Sequence, residues 1–189
     1  MQGRGGRSRS PGAGALTYRG PMPLTLRPLR LDDETEARRV HAQLAEEDFE
    51  FLFGAEQPWS EIVANAQRES AGADLPPGRV PADFLLAEVD GVIVGRSSIR
   101  HSLTPFLREV GGHVGYAVGP EHRRRGYATE ILRQSLARLA ALGVGRVLVT
   151  CDDDNIASAR TIERCGGVLE DVRDVGEGTR KRRYWIDAA

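Results

Sequence analysis

Lysine, cysteine and long apolar runs are all scarce in this chain, and each shortage narrows what the protein can be. Of its 26 basic residues only Lys181 is a lysine, a skew that reads as GC-rich coding and carries no functional weight. Two cysteines, Cys151 and Cys165, are too few for a disulfide framework and point to a reduced, cytoplasmic setting. No stretch approaches the ~20 apolar residues that span a bilayer, so no membrane partner is expected. A formal net charge of -1 leaves the chain as a whole without the electrostatic footprint of a nucleic-acid binder. Two phosphate-binding signatures are missing as well. There is no G-x-x-x-x-G-K-[ST], and no G-x-G-x-x-G follows the first strand, which argues against nucleotide hydrolases and dinucleotide enzymes.

The 189 residues suffice for one well-filled core. Residues 1–21, rich in Gly, Ser, Pro and Arg, lack the apolar centre of a secretory leader and are expected to be disordered. They read as an inert extension or a product of start-codon choice ahead of Met22, in preference to a phosphate-contacting arm built on Arg4, Arg7, Arg9 and Arg19. Residues 22–189 are expected to form a single domain.

Within that domain, "LTLRPLR" (24–30) alternates as a strand, and Asp32 and Asp33 open a helix with apolar positions at Ala37, Val40 and Leu44. A second helix over 59–70 has Ser60 as its expected N-cap. Two strands then flank Asp90-Gly91, a dipeptide favoured in tight hairpins. A strand over 112–119, an amphipathic helix over 127–142 closed by Gly143, a strand over 146–151, a helix over 155–165 and a closing strand over 180–187 complete the order. This succession of elements predicts an α/β protein, α+β in sequence order, with a mixed, mostly antiparallel central sheet flanked by helices.

The most informative stretch is "GPEHRRRGYATE" (119–130), where three arginines and a glycine precede a helix start. Unpaired N–H groups of a first helical turn converge on a point, glycine permits close approach, and arginines add donors, so the turn suits a phosphate. Arg123-x-x-Gly126-x-Ala128 also resembles the [QR]-x-x-G-x-[GA] pyrophosphate motif of the GNAT superfamily of acetyl-CoA-dependent N-acetyltransferases. "NIASARTIERCGG" (155–167) resembles that family's second signature, at the family's spacing. The resemblance extends over about residues 82–187.

What the resemblance implies is a wedge between splayed strands that holds acetyl-CoA. Main-chain groups of Tyr116, Ala117 and Val118 would hold pantetheine. Arg123 and the N–H groups of Arg124, Arg125, Gly126, Tyr127 and Ala128 would hold the pyrophosphate, with help from Thr129. Asn155 and Ser158 would contact the pantetheine arm or order the second wedge strand. The reaction is direct attack of a primary amine, on a small molecule or a protein N-terminus, with the Val118 N–H as oxyanion donor. His113 is a candidate base, with His101 behind it. The family's usual tyrosine acid is replaced here by Ile162, which leaves Tyr184 as the candidate acid. Cys151 reads as a small buried side chain, and no metal is implicated. The acceptor is expected to be recognised by residues 46–59 and 100–112, which mix aromatic and acidic groups and so suit a cationic amine beside an apolar body. The family relation admits a homodimer through the closing strand. A non-catalytic CoA-binding module of the same fold is the alternative function.

Overall fold

A computed structural model describes residues 24–176 and 178–188, so the expectations for residues 1–21 lie outside the described residues. β1 (Leu24–Pro28) is shorter than expected. Leu29 then turns into the core, and a short 3-10 turn over Leu31–Asp33 leads into α1 (Glu34–Ala45). The junction is held by Arg27, whose guanidinium donates two bonds of 2.7 Å to Asp33 and one of 2.6 Å to Glu88. Both Arg27 and Asp33 are buried, so removing either would leave the other's charge poorly compensated in the interior.

α2 (Trp59–Ala71) is capped by Pro58, not by Ser60. Proline's preset φ serves the helix entry, here -54°, and Ser60 falls inside the first turn. The hairpin of β2 (Ala82–Val89) and β3 (Val92–Arg100) turns at Asp90 and Gly91, both with positive φ as a tight turn of this hand requires. A one-turn helix over Leu107–Gly111, not foreseen from the sequence, precedes β4 (Val114–Val118). α3 (Tyr127–Ala141), β5 (Arg146–Asp152), α4 (Ile156–Arg164), β6 (Val168–Asp174) and β7 (Arg180–Asp187) follow.

The seven strands form one sheet in the order β1-β2-β3-β4-β5-β7-β6, antiparallel throughout except where β4 meets β5. One apolar cluster packs α1 and α2 on a face of the sheet through Val40, Leu44, Trp59 and Leu86. Another packs α3 and α4 on the opposite face through Leu132, Leu139, Ile162 and Tyr184. β3 and β4 approach closely at Gly95, where a Cβ would stand 2.3 Å from the Ala117 carbonyl oxygen.

Three arginines gather the loop between α1 and α2 onto this frame. Arg38 donates to the carbonyls of Ala55 and Gln57, Arg96 to that of Glu50, and Arg123 to the Glu47 carboxylate.

Candidate active site: a wedge between two parallel strands

β4 and β5 share a single residue pair, Val114 with Val149, although both strands run on beyond it. The sheet therefore opens into a wedge past Val114. In the ladder with β3, His113 accepts from Arg100 and Gly119 donates to Val94, so odd-numbered residues of β4 spend their main-chain groups on β3. Alternation turns those of Tyr116 and Val118 towards the wedge. Ala117, expected there too, faces β3 with its main chain.

The turn that follows is shaped for an anion. Arg124 (φ 63°) and Gly126 (φ 87°) are both left-handed, and such alternation curls successive N–H groups into a concave nest. The first helical bond of α3 runs from the Glu130 N–H to the Gly126 carbonyl. The N–H groups of Tyr127, Ala128 and Thr129 are thus the free donors of a helix start. Arg124 and Arg125 are exposed beside them. Arg123 departs from expectation. Its guanidinium forks onto Glu47 at 3.0 and 2.6 Å and its Nε donates to the Val118 carbonyl at 3.3 Å, because Glu47 is brought alongside by the α1–α2 loop. Its side chain ties that loop to the wedge and does not extend towards the nest.

His113 stands at the closed end of the wedge with its ring buried. Nδ1 accepts the Leu148 N–H at 2.9 Å while the His113 N–H donates to the Leu148 carbonyl at 2.7 Å, so this residue staples β5 to β4. Burial pushes its pKa down to about 4. Protonating Nδ1 would also cost the bond to Leu148, so the ring has no free lone pair for the base role expected of it. His101 lies elsewhere, at the end of β3, with Nε2 3.2 Å from the Asp83 carboxylate.

Tyr184 is a core residue beneath α4, its hydroxyl donating to Glu163 at 3.2 Å. With its ring in the core and its hydroxyl committed to Glu163, it is not free to serve as the expected acid. Tyr116 is placed differently. From β4 its phenol reaches across to the Ser158 hydroxyl on α4, 2.9 Å away, and burial raises its pKa to about 12. Sequence reasoning used Tyr116 only for its main chain; the available signal was a tyrosine on the wedge strand of a chain lacking one at position 162. Asn155 caps α4 by accepting the Ser158 N–H at 3.0 Å, which orders the helix that carries Ser158. Cys151 is buried with its thiol pKa raised by burial, in keeping with a packed small side chain. Asp152 is engaged by Lys181.

Two cavities of about 430 Å3 each flank α2, one against Phe53 and Phe84, the other at the sheet edge against Leu26, Asp83 and Arg138. Neither is lined by the wedge strands or the nest, so their volume says nothing about a CoA arm. Among the described residues no helix is long and apolar enough to cross a membrane, and no group of three metal-ligating side chains gathers.

Comparison with known proteins agrees with this geometry. A family model described as an acetyltransferase (GNAT) domain matches residues 23–168. The uncharacterized N-acetyltransferase YjdG of Bacillus subtilis (strain 168) is 33% identical over 57 residues, 30% of this chain and 34% of that protein, so the match spans about a third of the relative's length. Two solved structures share the fold at low identity. The microcin C7 self-immunity acetyltransferase MccE, in complex with acetyl-CoA and AMP, superposes with a TM-score of 0.65 at 19% identity, covering 87% of this chain and 92% of that one. RimJ of Mycobacterium smegmatis, in complex with CoA-disulfide, gives 0.65 at 20% identity over 87% and 82%. With a family match across most of its length and the wedge, nest and strand order in place, the chain belongs to the GNAT family of acetyl-CoA-dependent N-acetyltransferases.

Proposed function

We propose that this protein transfers the acetyl group of acetyl-CoA to a primary amine, carried by a small molecule or a protein N-terminus, by direct attack. The observation that carries the reading is the conjunction of an opened β4/β5 wedge with a left-handed, donor-rich turn at the start of α3. Acetyl-CoA supplies an acyl thioester whose carbonyl is open to a neutral amine. The chain supplies position and electrostatics.

The nest N–H groups from Arg124 to Ala128 hold the pyrophosphate, with Thr129 at its edge, and the wedge-facing groups of Tyr116 and Val118 align the pantetheine arm. The Val118 N–H donates to the developing oxyanion. The Tyr116 phenol, protonated across the working pH range, donates a hydrogen bond to the departing thiolate, which takes its proton from water. Because His113 is committed to Leu148, the ammonium proton of the acceptor leaves to water. Accordingly kcat/KM rises with pH towards the acceptor's own pKa and shows no enzyme inflection near about 6.5, the ordinary histidine value. A pH–rate profile with an inflection there that disappears in His113→Asn would restore histidine as the base.

Tyr116→Phe keeps the ring and removes the donor. It lowers kcat about 10²-fold with little change in KM for acetyl-CoA, the size expected of one hydrogen-bond donor to charge that develops in the transition state. A thiol-release assay reads this directly, and an unchanged kcat would remove Tyr116 from the chemistry. The reading as a whole is tested by calorimetric titration with acetyl-CoA followed by thiol release over a panel of amines. Tight binding with no release from any amine would favour a CoA-binding module instead.

A further inference from the structure

A cation buried without a counter-ion needs an explanation, and the sheet contains one. Arg96, in the middle of β3, is only 4% exposed. Its guanidinium lies 5.1, 4.9 and 5.4 Å from the ring centroids of Phe49, Phe53 and Phe84 and donates to the Glu50 carbonyl at 3.0 Å. Its Nε is buried with no hydrogen-bond partner. Aromatic faces offset part of the desolvation cost of a cation but carry no net negative charge. Among the described residues no carboxylate is paired with it. Desolvation lowers its pKa to about 10; Arg100 acts in the same direction and the charge of Glu50 against it.

Arg100 lies four residues along the same strand, hence on the same face. Its guanidinium leans over Gly115 of β4, where a Cβ would stand 3.5 Å from Nη1, and donates to the Gly111 carbonyl at 3.3 Å. It too has no carboxylate partner among the described residues, and burial depresses its pKa. Ser98 lies between the two arginines on this face and is also buried. Phe53 and Phe84, the rings on Arg96, also line the first of the two cavities beside α2. Of the charged residues lining that cavity, Arg79 and Glu69 pair with each other at 3.5 Å, leaving Arg68 and Asp74. Arg96 and Arg100 do not themselves line this cavity; Arg96 meets it through Phe53 and Phe84. Both arginines stand beside β4, next to the strand that lines the wedge.

We propose that Arg96 and Arg100 form an anion subsite, so that the acceptor is a primary amine that also carries an oxyanion group, a carboxylate or a phosphate. A guanidinium edge pairs with either in the same two-point geometry, and a bound anion relieves the repulsion between the two arginines. The specificity assignment rests on the transferase reading; the anion subsite itself does not.

The test has two arms. In the first, thiol release at saturating acetyl-CoA is followed with a short ω-amino acid, its carboxamide and the matching aminoalkyl phosphate. The expected result is a KM for one of the two anionic amines at least about tenfold below that of the carboxamide, with the advantage lost in Arg100→Gln; which anion wins identifies the group. In the second, thermal melting is recorded in saturating CoA, so that the nest is filled, with added glutarate or inorganic phosphate. Wild type gains in Tm and Arg100→Gln does not. Arg96→Lys, which keeps a cation but loses the planar fork, loses the same advantage while remaining foldable. Turnover of neutral and anionic amines at equal KM, with no gain in Tm, overturns the subsite and leaves the transferase reading standing. A gain in Tm without thiol release from any amine upholds the subsite and overturns the transferase reading.

Discussion

Gly126→Asp binds acetyl-CoA about 100-fold more weakly than wild type, whereas Gly126→Asn stays within about tenfold. The two side chains are nearly isosteric and both tolerate the left-handed backbone that Gly126 adopts at φ 87°, so the turn keeps its shape in each. They differ in one negative charge placed where the free N–H groups of α3 converge. A carboxylate there occupies the donors meant for the pyrophosphate and repels it. A hundredfold loss corresponds to about 2.7 kcal/mol, within reach of one charge at contact distance near a surface. Calorimetric titration of both variants checks this. Equal, mild losses would show that the turn's charge preference is not what holds the ligand.

The second expectation concerns stability. His113 is neutral in the folded protein down to about pH 4, while in the unfolded chain it titrates near 6.5. Its folded-state pKa is depressed, so its stabilisation is complete above about pH 6.5 and is lost as pH falls from there towards about 4, where the unfolded chain binds the proton first. The difference between the two values is worth about 3 kcal/mol. Chemical denaturation at a series of pH values shows this as an acid limb in the wild type. His113→Asn offers an uncharged acceptor to the Leu148 N–H, and in it the limb between about 6.5 and 4 is absent. Asp33 and Asp83, whose pKa values lie below the ordinary carboxylate range, lose their contributions further down the scale, so the two effects separate. If wild type and variant lose stability in parallel, the buried ring is not the cause.

Much of this fold was legible because its signals are local. The Asp90-Gly91 turn, the alternation of β1 and the apolar spacing of α3 each declare themselves within a few residues. So does the nest, whose glycine, helix start and arginines are contiguous in sequence. The strand ends and the cap of α2 were less legible: Pro58 and Ser60 both suit a helix entry, and only the path of the chain from the preceding loop selects between them.

The roles of long side chains were least legible. The pattern of "VIVGRSSIR" places Arg96, Ser98 and Arg100 on one face of a strand, but whether that face meets solvent, carboxylates or aromatic rings depends on segments elsewhere in the chain. The same holds for His113, expected as a base because imidazole titrates near neutrality and found instead as a staple between strands.

By itself, then, the sequence determined the order of the main elements, the position of the glycine turn that opens α3 and the family to which the chain belongs, since each rests on residues adjacent in the chain and on backbone conformations that a glycine or a helix start imposes locally. Tertiary structure alone decided what Arg123, His113, Tyr116 and Arg96 do. Their partners Glu47, Leu148, Ser158 and Glu50 lie 76, 35, 42 and 46 residues away, and a hydrogen bond acts over about 3 Å. No local pattern can select a partner at that separation until the sheet has brought the two together.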